Sequence, residues 1–265
     1  MGYHKSPTRK IILGIFSIVI LASPGLAAEI TRNTMDALNS PSGWGFIQFE
    51  SAGGAIVSAD SPQGGTALRY TFPIGMGDGR EPARVWYNAS KSLTDVYIQF
   101  YHKYSSNYVF HEIGNKILYM YSGGSRQSCV VLTENYGDLK MEVLWPTVSD
   151  LVQYSSGLGR PTRGVWYKYA IHMKTNSSPG SSDGILELWV NDKLVINKNN
   201  VMYFPSGTSV TGWVDFDLAA AYGGGGGSNP VVSYAYYDDV IISSNAIFEN
   251  TTEIPIAPSN LKISR

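Results

Sequence analysis

Arg80, Arg84, Trp86 and Asn88 fall at even spacing in "REPARVWYN". Residues two apart share one face of an extended strand, so these four line up together while Ala83, Val85 and Tyr87 oppose them. In "DVYIQFYHKY" the same period puts Tyr97, Gln99, Tyr101 and Lys103 on one face and Val96, Ile98 and Phe100 on the other. Aromatic rings beside amide and guanidinium groups suit a sugar: rings stack on the apolar faces of pyranoses, and planar donors fork onto hydroxyls or uronate carboxylates. An ordinary solvated strand face with aromatic cross-strand pairs has the same pattern, so both readings stand at this point.

A third group lies in "SSNYVFHEIGNKILYM", where His111, Glu112, Asn115 and Lys116 interrupt apolar sequence. The segment "HEIGN" reads as a turn or bulge around Gly114, after which Lys116 opens the strand "KILYMY". Simple alternation puts Lys116 on the face of Leu118 and Met120, where it would snorkel out at the strand end. A bulge would instead bring it beside Tyr119. His111 is either a solvated loop histidine or a proton acceptor.

Other chemistries are thinned by their spacing requirements. A retaining glucanase strand needs Glu-x-Asp-x-x-Glu to bring two carboxylates close, and "VDFDLA" offers Asp215 and Asp217 without the Glu. His102, His111 and His172 are scattered, which does not make a zinc site. No Gly-x-Ser-x-Gly elbow occurs. The run Gly223 to Gly227 lacks the Lys-Ser/Thr of a phosphate loop and reads as a flexible connection. Asp238 and Asp239 could contribute oxygen ligands to a structural calcium ion or cap a strand end. No cofactor is otherwise required.

The elements that must position these residues are strands. Short alternating runs bounded by Gly, Pro, Asn, Asp or Ser recur along the chain, among them "ARVWYN", "KMEVLW", "VWYKYAIHMK" and "SYAYYDDVIIS", with no helical period. An all-β sandwich of two antiparallel sheets is therefore expected. Asn191-Asp192 predicts a tight hairpin, as does Gly137-Asp138. The lone Cys129 cannot form an internal disulfide and reads as a buried strand residue.

The chain start reads as an export signal. Lys5, Arg9 and Lys10 precede "IILGIFSIVILA", and Gly25-Leu26-Ala27 is a small-residue cleavage site. An apolar run of 12 residues is short of the roughly 20 needed to cross a bilayer. The expected organisation is a signal peptide over 1–27, one β domain over 28–245 and a C-terminal tail over 246–265, in a secreted, periplasmic or cell-surface protein without a membrane span in the mature chain. Losing three positive charges takes the net charge from −1 to −4, which is not the balance of a nucleic-acid binder. A monomer is expected.

Four segments together resemble a known family: "GDGREPARVWYN", "VYIQFYHKYSSNYVFHEIGNKILYM", "GVWYKYAIHMKTNSSPGSSDGILELWVNDKLVI" and "YAYYDDVIIS". They are similar to the concanavalin A-like jelly-roll polysaccharide lyases, nearest to alginate and glucuronan lyases and more distantly to the heparin lyase I type. The family's Arg-x-Glu-x-Arg-like strand corresponds to Arg80 and Arg84, with Glu81 displaced by one position and Pro82 in the middle. Its Gly-Gly-Lys-Leu-Pro-Gly-like strand start corresponds to Gly114-Asn115-Lys116-Ile117-Leu118. The resemblance implies a jelly-roll that acts by β-elimination on a polysaccharide, a uronic-acid-containing polymer (polyuronate) being the expected partner.

Such a reaction needs a group to neutralise the uronate carboxylate, a base and an acid. Arg84 with Gln99 suits the first, Lys116 or His111 the second, and Tyr119 or Tyr101 the third, with Arg80, Trp86 and Asn88 binding substrate. A non-catalytic lectin-like module, or a cell-surface structural protein, would use the same sandwich without the chemistry.

Overall fold

The computed structural model describes residues 29–36, 42–49, 55–58, 60–123, 128–145 and 150–247. The export-signal reading and nearly all of the tail fall outside these residues. Among them the chain forms fifteen strands. They begin with β1 (Glu29–Asn33), β2 (Trp44–Gln48), β3 (Ala55–Ser58), β4 (Ala67–Phe72) and β5 (Ala83–Leu93). Next come β6 (Asp95–Tyr104), β7 (Asn115–Ser122), β8 (Cys129–Asn135), β9 (Asp138–Trp145) and β10 (Asp150–Ser155). The last are β11 (Tyr167–Lys174), β12 (Gly184–Val190), β13 (Lys193–Val201), β14 (Trp213–Leu218) and β15 (Ser233–Ser243).

Two antiparallel sheets result, as the alternating pattern predicts. The first runs β13-β12-β11-β6-β15-β4-β3, with β1 also paired to β15, and the second runs β10-β9-β8-β7-β14-β5-β2. Period-two alternation supplies each with one apolar face. Val96, Ile98 and Phe100 of β6 meet Val85, Leu118, Met120, Val130 and Phe216 of the second sheet in one continuous buried core.

Buried tyrosines tie the layers together through their polar ends. The Tyr70 hydroxyl on β4 donates to the Leu218 carbonyl at 2.7 Å and accepts from the Val85 N–H at 2.9 Å. The Tyr237 hydroxyl on β15 donates to the Ile117 carbonyl at 2.7 Å. That carbonyl needs a partner because the β7–β8 ladder shifts register between Lys116 and Leu118, and a bulge leaves a residue unpaired.

Both hairpins are present, one displaced by a residue. Asn191 and Asp192, with φ of 50° and 65°, join β12 to β13 as a turn with both central residues left-handed. Between β8 and β9 the two central residues are Tyr136 and Gly137 rather than Gly137 and Asp138, because Asn135 pairs with Asp138. Tyr136 holds its φ of 50° while its N–H donates to the Glu112 carbonyl at 2.9 Å. Cys129 is a buried residue of β8, as expected. No helix among the described residues is long and apolar enough to cross a membrane.

Candidate functional site

The outer face of the second sheet gathers most of the chemistry-bearing residues. Arg84, Trp86 and Asn88 on β5 alternate with Val85 and Tyr87, which enter the core. Register then places neighbours beside them. Asp217 on β14 lies between Trp86 and Tyr119, and Tyr119 pairs with Val131, which pairs with Glu142. In the adjoining row Asp215 lies between Asn88 and Tyr121. The Tyr119 and Tyr121 rings are parallel, 5.7 Å between centroids. Asp215, Asp217, Tyr121 and Glu142 are members that sequence reasoning did not place here. Their own strands alternate legibly, but which strands lie side by side is a long-range property.

Phe49, Arg84, Trp86, Asn88, Asp215 and Asp217 surround a cavity of about 380 Å³ on this face. Arg84 is not free within it: Nη2 donates to Glu81 Oε1 at 2.5 Å and Nη1 lies 3.6 Å from Asp217 Oδ2. Asn88 Nδ2 donates to Asp215. Arg80 is exposed and sits farther along, where it bridges Tyr222.

The bulge settles the orientation of Lys116. Lys116 pairs with Thr133 and Tyr119 with Val131, and Thr133 and Val131 share a face, so Lys116 and Tyr119 both point outward. Burial lowers the Lys116 pKa, opposed by the charges of Glu142 and Asp78. Burial raises that of Tyr119, with Tyr121 adding to the effect, so its hydroxyl keeps its proton.

The Lys116 ammonium donates to the Gly223 carbonyl. His111 reaches the same glycine run, with Nε2 at 2.8 Å from the Gly226 carbonyl and 3.4 Å from Asp78 Oδ1. Asp78 in turn accepts from the N–H of Gly226 at 2.7 Å and from that of Gly224. The Gly226 N–H, above all, holds the Asp78 carboxyl below the usual carboxylate range. The run expected to be a flexible connection is therefore pinned at several points. Its glycines are needed for closeness: a Cβ on Gly223 would strike Asp78, one on Gly224 would meet the Lys116 ammonium, and one on Gly225 would strike Ile113.

The turn "HEIGN" is organised by Asn115, which is fully buried. Its Oδ1 accepts from the His111 N–H at 3.0 Å and the Tyr108 hydroxyl at 3.3 Å. Its Nδ2 donates to the His111 carbonyl at 2.8 Å and to Glu134 Oε2 at 2.5 Å. Glu134 is also fully buried and takes the Gly137 N–H and Arg160 Nε on its other oxygen. Asn115→Leu keeps the volume and strands these groups. A loss of about 3 kcal/mol or more is expected in urea unfolding, and one under about 1 kcal/mol would show that the turn holds without it.

Gln99 and Tyr101 do not join this face. They alternate with Ile98 and Phe100, which enter the core from the first sheet, so they point out of the opposite side of the sandwich. The pairing of Gln99 with Arg84, and the choice of Tyr101 as the acid, are corrected accordingly. Asp238 and Asp239 also belong to the first sheet. Asp238 accepts from the Ser61 hydroxyl at 2.5 Å and the Asp239 N–H at 2.8 Å, and Asp239 accepts from Arg32 at 3.0 Å. Among the described residues no group of three or more His, Cys, Asp or Glu could hold a metal ion.

Solved structures share this architecture. The endo-β-1,4-glucuronan lyase of the fungus Trichoderma reesei superposes with a TM-score of 0.63 at 16% identity, covering 82% of this chain and 96% of its own. Alginate lyase vAL-1 from Chlorella virus gives 0.62 at 14% identity, covering 81% and 99%. The marine alginate lyase of Aplysia kurodai gives 0.61 at 14% identity, covering 82% and 99%. At such identities the likeness establishes the fold, a jelly-roll sandwich. No curated protein matches the chain. The polysaccharide lyase family model, however, matches residues 39–218. That span runs from β2 to β14 and includes every strand that carries Arg84, Lys116, Tyr119, Glu142 or Asp217, so the chain that builds this face belongs to the polysaccharide lyase family.

Proposed function

We propose that the protein cleaves a uronate-containing polysaccharide by β-elimination on the outer face of the second sheet. The observation that carries this reading is the bulge that turns Lys116 to the side of Tyr119, in a site where burial favours a neutral amine. Lys116 takes the proton from the carbon bearing the carboxylate. The electron pair left behind forms the carbon–carbon double bond as the bond to the leaving oxygen breaks, and the Tyr119 hydroxyl protonates that oxygen. Lys116 must first release the Gly223 carbonyl. Trp86 and Tyr121 offer ring faces to the sugars. Secretion through residues 1–27 is part of the same proposal, tested by the N-terminus of protein recovered from the medium.

The test is incubation of the chain without residues 1–27 with alginate, glucuronan and heparin, followed by ultraviolet absorbance, because elimination creates a conjugated double bond. Absorbance should rise on at least one polymer. Because Lys116 must be neutral to act, the rate should climb with pH to a midpoint below its ordinary 10.5. A rate that falls across that range counts against the amine.

One observation favours a binding module instead. The ammonium already serves as a tether for the glycine run. Retention on a polysaccharide column with no absorbance change on any polymer would establish that reading.

A further inference from the structure

The outward residues of β6 face away from Lys116, on a side of the sandwich with aromatic chemistry of its own. Tyr234 and Tyr236 of β15 alternate with Ala235 and Tyr237, which enter the core. They therefore point out of the first sheet, where Tyr236 pairs with Lys103. A lysine at an outward strand position ordinarily snorkels into solvent. Lys103 instead keeps only 8% of its side chain exposed. Its ammonium lies 4.8 Å from the Trp166 ring centroid and 4.5 Å from that of Tyr236, and it donates to Asp60 Oδ2. The other Asp60 oxygen accepts from Trp166 Nε1 at 3.3 Å. Two rings and an exposed carboxylate are thus fixed around an internal cation before any ligand arrives.

A cavity of about 380 Å³ opens beside this cluster, with Asp60, Lys103, Ser106, Asn107, Tyr234 and Tyr236 in its walls. That volume is within the range of small-ligand sites. Its walls are braced. The Arg69 guanidinium packs 4.6 Å from the Tyr234 ring centroid, and the Tyr234 N–H donates to Ser105 Oγ at 3.0 Å. Ser105 Oγ donates to Asn107 Oδ1 at 2.8 Å, and Asn107 Nδ2 to the Val232 carbonyl at 2.8 Å. A phosphate or sulfate would need a cation to spare, and the ammonium in this cavity is already taken by Asp60. A sugar needs other things: ring faces for its apolar side and short-range acceptors and donors for its hydroxyls. Tyr234 and Tyr236 supply the first, and Asp60 and Ser106 the second.

We propose that this cavity on the first sheet is a second, non-catalytic binding site for a polysaccharide chain, recognised by its ring faces and hydroxyls rather than by its charge. Membership of the polysaccharide lyase family makes such a polymer the ligand at hand. The site lies on the sheet opposite Lys116, so it does not rest on the lyase reading. Holding one stretch of a polymer on this face keeps further stretches of the same material close to the other, which raises their effective concentration there.

Column retention of the chain without residues 1–27 tests this on alginate, glucuronan, heparin and a neutral β-glucan. The runs are made at about 1 M salt, where charge is screened beyond about 3 Å. The parent should be retained on at least one polymer. Tyr234→Ala should weaken that binding about tenfold by removing a ring. Ser106→Leu should do the same by filling the cavity, and because Ser106 is exposed its melting temperature should match the parent's. Trp86→Ala, on the opposite face, should leave part of the retention in place. A parent that passes through every column, parent-like binding in either cavity variant, or complete loss in Trp86→Ala would each overturn the site. The readout is binding alone, so silence of every polymer in the absorbance assay would count against lysis and leave this outcome standing.

Discussion

Lys116→Ala should lower lytic turnover by about 10²-fold or more, the size of a lost general base, with the melting temperature little changed. The fold survives because the glycine run keeps other anchors, among them Asp78 and the Gly223 N–H to Gly114 carbonyl bond at 2.8 Å. Lys116→Arg should be nearly as damaging, because a guanidinium stays protonated and cannot accept the proton. A tether has different requirements. If Lys116 only holds the Gly223 carbonyl, arginine supplies a donor and lysis stays near normal. Full activity in the arginine variant would move the base to His111, whose Nε2 is already committed to Gly226.

The second large effect concerns stability in acid. His102 is buried among Tyr104, Tyr169 and Tyr237, and neither ring nitrogen has a hydrogen-bond partner. Burial lowers its pKa from 6.5 to about 3. Above 6.5 the ring is neutral in both folded and unfolded chains and has no effect on their balance. Below it the unfolded chain takes up a proton that the folded chain refuses, so stability falls by up to about 1.4 kcal/mol per pH unit until about pH 3. His102→Leu removes that slope and strands no partner. Urea unfolding at pH 7 should find the variant as stable as the parent within about 1 kcal/mol. At pH 4 the variant should be the more stable by about 3 kcal/mol. Equal acid slopes for the two would show that His102 is protonated in the fold.

Within a strand, faces were readable from sequence wherever alternation runs unbroken. Arg84, Trp86 and Asn88 emerged together because nothing interrupts β5 between them. Gln99 and Tyr101 were also correctly placed on one face of β6, but that strand pairs with β11 and β15, far along the chain, and so joins the other sheet. Local pattern cannot carry that information. Lys116 shows a related limit, since its direction depends on β8 spending one residue fewer than β7 across the bulge. The glycine run was legible as a loop by composition. Its anchors were not, because Asp78, His111 and Lys116 come from two separate segments.

The hydroxyl of Tyr237 gives the two sheets a shared mechanical fate. It grips the Ile117 carbonyl inside the bulge that aims Lys116, yet it belongs to the sheet that carries none of the proposed reacting groups. The two layers cannot slide past one another without breaking that bond and stranding a buried carbonyl. The aim of the amine is thus held by a strut from the far wall, and variation behind the sandwich is transmitted to its working surface.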